Sequence, residues 1–569
     1  MRLLLICCVC AFTGVRAQDS TGPGYPKGYF RSPLNIPMQL SGNFGELRSN
    51  HYHMGYDLKT QARENLPVYA AADGYVGRVK VEPFGFGRAI YVHHPNGFTT
   101  VYAHLNNFNA GLEAWVKQQQ YARESWAVDL QVPPGLFPVK KGDFLAYSGN
   151  TGGSQAPHLH FEVRHTNPDV NINPALFGFP ISDATRPVLQ RLAIYDRTYS
   201  TYEQTPRLLP LKATAAGAYV AAPALVQVNT PQVSFAVGGY DTQSGSANRN
   251  GIYEMRLQVN GAEVVRFQMD EISYNDTRYL NAHVDYKMKT TRSIWLQHLS
   301  ELPGYVRSIY KKNTGDGAID ISDGEVHQVR ITAYDAAGNA SHLRFSIQYT
   351  PGAGKTSNDA PGKMFYPHMV DGYESDDCEF YLGERCLYDS VRLAYSKQQA
   401  SDSAAVSALH TIGAPYIPLH EAFLVRIKPN RVLTPAEESR TVMQWLNNGR
   451  KAVQKVEWQG GWAAARFRDF GKYQLVVDTT PPVITPVGFT DGSVLTKATR
   501  LIFTVKDNLG SIKKVRAELD GRWLRFTNDK GGSFIYRFDE RCQPGTHTLR
   551  MMAEDEAGNR AERIIQFVR

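Results

Sequence analysis

Short runs of alternating apolar and polar residues, separated by Gly-rich turns, fill the chain between Leu66 and His160. Examples are "PVYAAADGYVGRVKV", "GRAIYVHHPNGFTTVYAHL" and "HLHFEVR". A period of two places alternate side chains on opposite faces of a strand, and "HPNGFT" at 94–99 is a strong signal for a hairpin turn. The pattern therefore predicts an antiparallel β-sheet.

One segment departs from this alternation. In "GLEAWVKQQQYARESWAV" the apolar residues, among them Leu112, Val116 and Trp126, approximate one face of a helix. We therefore predict a helical insertion at about residues 106–135, within the β-sheet domain.

The later part of the chain contains a repeated pattern. "DATRPV", which begins at Asp183, recurs as "DTTPPV" from Asp478, and "AYDAAGNA" recurs as "AEDEAGNR", each before an alternating strand. Two copies of an immunoglobulin-like β-sandwich, at 183–350 and 479–569, explain the repetition. The D-x-x-G-N pieces are interpreted as structural turns that end strands.

The two predicted sandwiches are separated by a linker and a further segment. "TPGAGKTSNDAPGK" at 350–363 has the Gly/Pro/Ser composition of a linker. Residues 363–478 contain strand-like runs such as "AFLVRIKP" and "YQLVVD", and we predict a β-rich domain of uncertain type. The predicted fold class is mainly β, with an antiparallel sheet domain followed by immunoglobulin-like modules.

Length and charge narrow the class of protein. A chain of 569 residues is too long for one core and suggests three or four domains. The formal net charge of +8 fits either a solvated basic surface or contact with an anionic polymer. The sequence lacks the dense stripe of Lys and Arg that would indicate a nucleic-acid partner.

The first residues, "MRLLLICCVCAFTGVRA", have the pattern of a secretory signal peptide, 1–17. Arg2 precedes an apolar run, and Val15 and Ala17 supply the small residues that a signal peptidase needs. No later apolar run approaches the roughly 20 residues of a membrane span. We therefore expect an exported protein without a transmembrane segment, in the periplasm or outside the cell.

The spacing of the cysteines argues against a thiolate metal site. Cys378 and Cys386 bracket a short polar loop and could form a disulfide in an oxidising compartment. Cys542 is then unpaired and is expected to be buried. Since nothing has zinc-thiolate spacing, a metal must be held by His and Asp.

Two motifs supply such ligands. "NHYHMGYDLKT" places His53 four residues before Asp57, either as two metal ligands or as a polar surface turn. In the strand "HLHFEV", His158 and His160 project from the same face. His53, Asp57 and His160 would form a two-histidine, one-carboxylate set around a tetrahedral Zn²⁺, with the fourth position left for water.

Two histidines remain for chemistry. His158, held beside the metal by its neighbour, could exchange a proton with the water or the leaving amine. His104, in "TVYAHL", is the second candidate. If its strand adjoins that of His158, the two imidazoles would flank the substrate carbonyl and stabilise the developing oxyanion.

Together these motifs resemble the M23 metallopeptidases, the lysostaphin-like or LytM-type peptidoglycan endopeptidases. The family pattern H-x-G-x-D, then Y-A-H-L, then H-L-H-F-E is present as "HMGYD", "YAHL" and "HLHFE", and the resemblance covers roughly residues 35–180. It implies an M23-like zinc peptidase domain at 18–182. The segment 106–135 departs from many relatives, which pass directly from Y-A-H-L to the next Gly-Asp turn.

The resemblance also implies residue roles. It makes His53, Asp57 and His160 the zinc ligands and His104 and His158 the catalytic histidines. All five positions carry the family residue.

Other residues near these motifs receive less specific interpretations. His93 and His94 precede the hairpin turn and are expected to pack or cap there, and His165 is expected to be exposed. His51 lies one strand period before His53 and could approach the metal. Glu162, on the H-x-H face, is a candidate for orienting a histidine.

Three functions are compatible with the sequence. The leading hypothesis is an exported zinc endopeptidase that hydrolyses peptide bonds of peptidoglycan stems or cross-bridges. An alternative is a non-enzymatic envelope adaptor that binds cell-wall peptides and recruits or activates other hydrolases through its β modules. A third hypothesis gives the β modules the main function, as carbohydrate-binding or adhesive domains. The complete set of five residues favours the enzyme.

Overall fold

The structure is a computed structural model, and it describes residues 24–305, 309–352, 361–510 and 512–569. The predicted signal peptide, 1–17, lies outside the described residues. The architecture is mainly β, as the sequence predicts, and the helices are few and short.

The N-terminal domain is built around an antiparallel sheet. In the order β1-β2-β11-β6-β5-β4-β8, its strands are paired edge to edge, and β3, β10 and β7 form a smaller sheet. The elements are β1 (Leu40–Gly42), β2 (Tyr56–Lys59), β3 (Pro67–Tyr69), β4 (Gly74–Val81), β5 (Arg88–His93), β6 (Phe98–Ala103), β7 (Leu105–Phe108), α1 (Ala110–Ala122), β8 (Val128–Gln131), β9 (Pro138–Val139), β10 (Phe144–Ser148), β11 (His158–His165) and β12 (Val170–Ile172).

The central hairpin of this sheet is the one that "HPNGFT" predicts. Strands β5 and β6 are antiparallel neighbours. Gly97 in the turn has a φ of +81°, a left-handed conformation that glycine adopts without a Cβ clash. The hairpin brings β6, which ends just before His104, beside β11.

Helix α1 lies within the segment where the sequence predicts a helical insertion. The Asn109 side chain accepts a hydrogen bond from the Leu112 N–H and so caps the first turn. Leu112 and Val116 are buried in the core of the N-terminal domain. The Glu113 carboxylate pairs with Arg88 of β5, which fixes the helix against the sheet.

The next region continues the same β architecture. Its long sheet follows the order β20-β16-β13-β14-β15-β24-β23-β17-β18-β21, with β22 paired to β16. The elements are β13 (Val188–Asp196), β14 (Arg207–Ala215), β15 (Ala218–Val228), β16 (Gln232–Tyr240), β17 (Glu254–Val259), β18 (Ala262–Gln268), β19 (Glu271–Ile272), α2 (Leu280–His283), α3 (Tyr286–Arg292), β20 (Gln297–His298), β21 (Tyr310–Asn313), β22 (Ile319–Asp320), β23 (Val326–Tyr334) and β24 (Ala340–Tyr349).

This second region is joined to the N-terminal domain by backbone pairing and by a common core. Strand β19 pairs with β12 of the N-terminal sheet. Phe44 and Tyr52, which precede the motif "HMGYD", and Met54 within it belong to the same buried cluster as Phe267 and Leu280. The site motif is therefore supported from both regions.

The third region contains two five-stranded sheets, β26-β27-β31-β35-β34 and β29-β30-β36-β32-β33, beside the pair β25-β28. The elements are β25 (Lys363–Phe365), β26 (Asp371–Glu374), β27 (Cys378–Leu382), β28 (Val391–Leu393), β29 (Tyr395–Gln398), β30 (Leu409–Ile412), β31 (Pro418–Ile427), α4 (Pro435–Arg440), β32 (Thr441–Asn447), β33 (Arg450–Lys455), β34 (Glu457–Gln459), β35 (Trp462–Asp469) and β36 (Gly471–Val477).

The cysteines of this region do not form the disulfide that their spacing suggests. Cys378 and Cys386 are both free and buried. Cys378 lies in the core strand β27, whereas the Cys386 sulfur accepts a hydrogen bond from the Gly383 N–H at 3.2 Å. Nearness in sequence does not set the direction of the Cβ bonds that a disulfide needs. Cys542 is free and buried, as expected.

The C-terminal region has two small sheets, β37-β39-β42 and β38-β44-β43-β40-β41. The elements are β37 (Val483–Pro486), β38 (Ser493–Val494), β39 (Arg500–Lys506), β40 (Ile512–Leu519), β41 (Arg522–Trp523), β42 (Phe534–Arg537), β43 (Thr546–Asp555) and β44 (Arg560–Val568).

The C-terminal region folds back onto helix α1. The Tyr121 ring contacts the Trp523 ring, with 5.3 Å between centroids, and the Arg541 guanidinium lies over Tyr121 at 4.4 Å. Arg516 pairs with Glu124 at 2.6 Å. Residues separated by about 400 positions thus meet beside the domain that carries the candidate site.

Candidate active site

Strand register brings the candidate residues together. Strand β11 lies between β2 and β6, so that His160 is opposite Asp57 on one side and Ala103 on the other. His104 follows Ala103 directly, and His158 begins β11. The two strand neighbours of β11 therefore carry or adjoin the other candidate groups.

His53, Asp57 and His160 converge on one point. The His53 Nε2 lies 2.9 Å from Asp57 Oδ1 and 3.1 Å from His160 Nδ1, and His160 Nδ1 lies 2.9 Å from the same Asp57 oxygen. Ligands of a tetrahedral zinc with bonds of about 2.0–2.1 Å are separated by about 3.3 Å. All three side chains are buried, and the group can hold a metal ion.

The tautomers of the two histidines explain why the group requires a positive charge. His53 donates from Nδ1 to the Asn43 carbonyl at 2.7 Å, and His160 donates from Nε2 to Glu162 at 2.9 Å. The nitrogens that face Asp57 are then bare lone pairs beside a carboxylate oxygen. Three acceptors in contact are stable only around a cation, so the residues present fit a bound metal.

The directions of the pKa shifts of Asp57 and His160 agree with this requirement for positive charge. Burial would raise the pKa of Asp57, but His53 and hydrogen bonds from the neighbouring histidines bring it well below its usual range. Burial would lower the pKa of His160, but hydrogen bonds to Asp57 and Glu162 raise it to about 9. A proton on His160 would take the place of a metal ion that the group can hold.

Glu162 holds His160 in place and is itself held by a buried ion pair. Its Oε2 accepts from Arg164 Nε at 2.7 Å. Burial would raise the pKa of Glu162, but the Arg164 charge and the bond from His160 lower it to about 2. The carboxylate stays ionised, and Glu162 is the orienting residue that its position on the H-x-H face suggests.

Tyr274, from the second region, completes this support, and sequence reasoning misses it. Its hydroxyl donates to Glu162 Oε1 at 2.7 Å, and its ring lies 4.8 Å from the Arg164 guanidinium. Tyr274 follows β19, the strand that pairs with the N-terminal sheet. Its contact depends on chain segments more than 100 residues apart, for which the sequence carries no local signal.

Arg48 is a second residue that sequence reasoning misses. Its Nη2 donates to Asp57 Oδ2 at 2.9 Å and also contacts Glu46 at 3.3 Å. One oxygen of Asp57 is thus engaged by Arg48, and the other faces the two histidines. This arrangement fixes the rotation of the carboxylate.

His104 and His158 lie side by side, with their rings 4.8 Å apart. His104 donates from Nδ1 to the Thr151 carbonyl at 2.8 Å, and His158 donates from Nδ1 to the Ala156 carbonyl at 2.8 Å. Because Nδ1 carries the proton in each ring, Nε2 of the neutral ring is a proton acceptor. The His158 Nε2 lies 3.3 Å from Asp57 Oδ1.

Burial sets the charge of His104. Burial, together with the nearby charges of His160 and His158, lowers its pKa to about 3. His104 also has a φ of +59°, an uncommon backbone conformation for a residue with a side chain. Burial therefore keeps the ring neutral, and the unusual backbone conformation sets its position, as is common where function fixes a side chain.

An open cleft of about 1130 Å³ lies over these residues. Both apolar and charged side chains form its walls. They include Ile36, Arg48, His51, Lys59, Lys80, Glu82, Phe86, Gln155 and Tyr274. The cleft is large enough to hold several residues of a peptide.

The remaining histidines have structural partners. His93 is hydrogen-bonded to Thr99 at 2.7 Å, and His94 donates to the Asp73 carbonyl at 2.7 Å. His165 is half-buried rather than exposed and contacts Glu271 at 3.0 Å. His51 is exposed in the cleft wall, outside the group that can hold a metal.

Comparison with protein families agrees with this geometry. Residues 51–122 match the model of peptidase family M23. The N-terminal domain is an M23 peptidase domain. In the rest of the chain, residues 363–478 match a Zu5-like domain and residues 487–568 match a bacterial Ig-like domain.

Individual relatives of the M23 domain are bacterial proteins. An uncharacterised metalloprotease of Haemophilus influenzae is 32% identical over 27% of this chain and 29% of its own length. The DD-carboxypeptidase/endopeptidase Mpg of Neisseria meningitidis is 30% identical over 28% of this chain and 32% of its own length. A zinc-containing peptidase from Vibrio cholerae, solved by crystallography, is 27% identical over 26% of this chain and 39% of its own, with a TM-score of 0.19.

The chain spans about a third of the length of the curated relatives that it matches. Within the described part of the chain, no helix has the length and apolar character to cross a membrane.

Proposed function

We propose that this protein is an exported zinc metalloendopeptidase that hydrolyses peptide bonds in peptidoglycan stems or cross-bridges. One observation carries the proposal: three buried acceptor atoms of His53, Asp57 and His160 meet within 3.1 Å, beside two oriented histidines. The M23 domain and the curated relative named as a DD-carboxypeptidase/endopeptidase support the same reaction class.

The proposed ligands are His53 Nε2, Asp57 Oδ1 and His160 Nδ1. When bound there, zinc supplies a Lewis acid and a water whose pKa is lowered toward about 7. Asn43 and Glu162 keep the two ligand nitrogens unprotonated by accepting the protons on the opposite side of each ring.

His104 and His158 are the proposed proton carriers. Both present an unprotonated Nε2, so each begins as an acceptor, and a ring that has taken a proton can donate it to the oxyanion or to the leaving amine. The Thr151 and Ala156 carbonyls hold the two rings while this occurs. The open cleft admits an extended peptide above them.

A digestion of purified cell-wall sacculi tests the proposal. The zinc-loaded protein should release new free amines, and a chelator should abolish the release, with recovery when zinc is restored. Sacculi that retain the protein but yield no new amines would support the alternative, an adaptor that binds wall peptides without cleaving them.

A further inference from the structure

Three aspartates meet where the chain leaves the M23 domain. Asp183 precedes β13, Asp241 follows β16 and Asp335 follows β23, and one carboxylate oxygen from each lies within 4.8 Å of the other two. Asp241 and Asp335 are 5% and 3% exposed. We call these residues the first acidic cluster. Its members come from three separate elements, so the fold itself assembles them.

One carboxylate oxygen of Asp241 lies in this cluster without a compensating partner. Its Oδ1 is buried and has no hydrogen-bond partner. Burial, together with the like charges of Asp335 and Asp183, raises the pKa of Asp241 to about 8. Asn250, whose backbone pairs with that of Asp241, also has a buried Oδ1 without a partner. Such oxygens are costly unless a hydrogen-bond donor or a cation meets them.

The same arrangement recurs in the C-terminal module. Asp478, Asp507 and Asp555 also bring one oxygen each within 4.8 Å, and we call them the second acidic cluster. In both clusters an asparagine, Asn339 or Asn559, donates to the backbone carbonyl of the first aspartate and to a carboxylate oxygen of the third. The repeated D-x-x-G-N turns therefore hold carboxylates in place as well as ending strands.

We propose that the first acidic cluster binds one Ca²⁺ ion, because there the structure shows a buried carboxylate oxygen that lacks a hydrogen-bond partner. Carboxylate and amide oxygens without nitrogen or sulfur are the ligands of a hard divalent cation, and Ca²⁺ tolerates the irregular geometry that such junctions offer. Asp183 lies where the chain enters the second region, so a bound ion ties the incoming chain to the ends of β16 and β23. The ion is structural, and none of the three aspartates lines the catalytic cleft.

Calorimetric titration of the zinc-loaded full-length protein with CaCl₂ tests this proposal. An ion should bind at the first acidic cluster with a dissociation constant of about 10⁻⁴–10⁻³ M, as in extracellular modules, and the melting temperature should rise. Asp241→Asn should bind one ion fewer than the parent. Asp323→Asn, in an exposed turn of the same region, is the matched control and should bind as many ions as the parent.

Two results would overturn the proposal: no heat and no thermal shift at about 10 mM Ca²⁺, well above the expected constants, or the same number of bound ions in the parent and in a folded Asp241→Asn protein. A parallel titration with MgCl₂ shows whether the cluster prefers the larger ion, and stronger binding of Mg²⁺ would also overturn it.

A second inference arises from the loop that supports the catalytic histidines. Residues 150–156 lie in the connection between β10 and β11, and we call them the histidine-supporting loop. Its carbonyls at Thr151 and Ala156 are the acceptors that fix the proton on Nδ1 of His104 and His158. A small shift of this backbone would rotate both imidazoles.

The C-terminal module contacts the histidine-supporting loop directly. Asp529 Oδ1 accepts from the Gly152 N–H at 2.8 Å. The Lys530 ammonium donates to the Ser154 carbonyl and to Asn150 Oδ1, the latter at 3.3 Å. These contacts join residues that are more than 370 positions apart in the chain.

The loop is confined on its other side by the segment 83–87. Gly153 donates to the Gly85 carbonyl at 2.8 Å, and a Cβ on Gly152 would lie 2.2 Å from the Gly87 nitrogen. Lys530 also donates from its backbone N–H to the Pro83 carbonyl at 2.8 Å. The C-terminal turn therefore holds the loop between two backbone segments.

We infer that Asp529 and Lys530 are positioning residues for His104 and His158, an inference that rests on the proposed function. They touch neither substrate nor metal and act through the histidine-supporting loop. A misplacement of about 1 Å can cost about 10²-fold in rate. The C-terminal module thereby affects turnover, although its own surface lies outside the cleft.

A matched pair of lysine variants tests this inference in the full chain. Lys530→Met should lower kcat about tenfold, with KM within twofold and zinc retained, because ring orientation matters mainly in the transition state. Lys117→Met removes another ammonium that bridges the same two domains, through Asp539 at 2.7 Å, but it does not touch the loop. Its kcat should be unchanged.

Asp529 provides a rescue experiment. Asp529→Ala should lower kcat and speed amide hydrogen exchange in the peptide that covers 150–156, whereas Asp529→Asn keeps an acceptor oxygen and should preserve both. Parent kcat in Lys530→Met, or an equal loss in Lys117→Met, would overturn the inference. If the parent protein cleaves nothing, the proposed function fails, while hydrogen exchange still tests the contact itself.

Discussion

His160 lies directly opposite Asp57 in neighbouring antiparallel strands, and its Nδ1 is 2.9 Å from the Asp57 Oδ1. This cross-strand pair fixes two members of the group that can hold a metal ion, because two facing positions in a sheet bring side chains within about 5.5 Å at the Cβ. His53 reaches the pair from the loop before β2. Two of the three proposed ligands therefore lie on paired strands of one sheet, and the third lies on an adjoining loop.

Loss of one ligand should abolish metal binding. His53→Ala is expected to reduce the metal content from about one zinc per chain to near zero and to eliminate cleavage, because two remaining protein ligands hold zinc poorly. Elemental analysis of the purified, folded variant measures this. Full zinc retention in His53→Ala would exclude His53 as a ligand.

Loss of His104 should separate chemistry from metal binding. His104→Ala is expected to keep its zinc and to lose about 10²–10³-fold in turnover, the usual contribution of a positioned proton carrier or oxyanion donor. Binding to sacculi should change much less. The measurement combines metal content, wall binding and cleavage rate. Turnover close to that of the parent would remove His104 from the mechanism.

Because Glu162 orients His160, substitutions at Glu162 and at its partner Tyr274 should weaken zinc affinity by different amounts. Glu162→Gln should weaken zinc affinity about 10–100-fold, the typical cost of losing an orienting carboxylate. Tyr274→Phe removes only one hydrogen bond to Glu162 and should weaken affinity less. Competition with a zinc chelator of known affinity ranks the two variants. Equal affinity in the parent and in Glu162→Gln would contradict the prediction.

Truncation after the M23 domain should destabilise it. Because the predicted modules look self-contained in the sequence, a chain ending near residue 182 would be expected to fold alone. The structure changes that expectation, since β19 pairs with β12 and Tyr274 supports the site. We expect the truncated chain to melt at a lower temperature and bind zinc more weakly. A parent-like melting curve would show that these contacts are dispensable.

Acid should destabilise the protein through its buried neutral histidines. Burial lowers the pKa of His94 to about 4 and that of His298 to about 3, from an unfolded value near 6.5. At a pH between the folded and the unfolded pKa, the unfolded chain binds more protons than the folded protein. This contribution to stability is therefore complete above pH 6.5 and is lost as the pH falls toward 3–4. Urea midpoints between pH 7.5 and 5 measure the loss, and His94→Asn should reduce its slope. A midpoint that is independent of pH would contradict the prediction.

The sequence by itself determines the strand pattern and the five candidate residues. Alternation with a period of two predicts the central hairpin, and the spacing in "HMGYD" and "HLHFE" identifies His53, Asp57 and His160. These signals are local: a turn, a strand period and a short motif each depend on residues only a few positions apart. Interactions between residues close in the chain therefore give patterns that can be recognised in the sequence.

Only the tertiary structure decides what surrounds those residues. Tyr274 contacts Glu162 from more than 100 positions away, and Lys530 contacts the histidine-supporting loop from more than 370 positions away. The Cys378–Cys386 spacing suggested a disulfide that the fold does not form, because Cβ directions depend on packing. Contacts between distant segments follow from how whole sheets pack, and no short stretch of sequence encodes them.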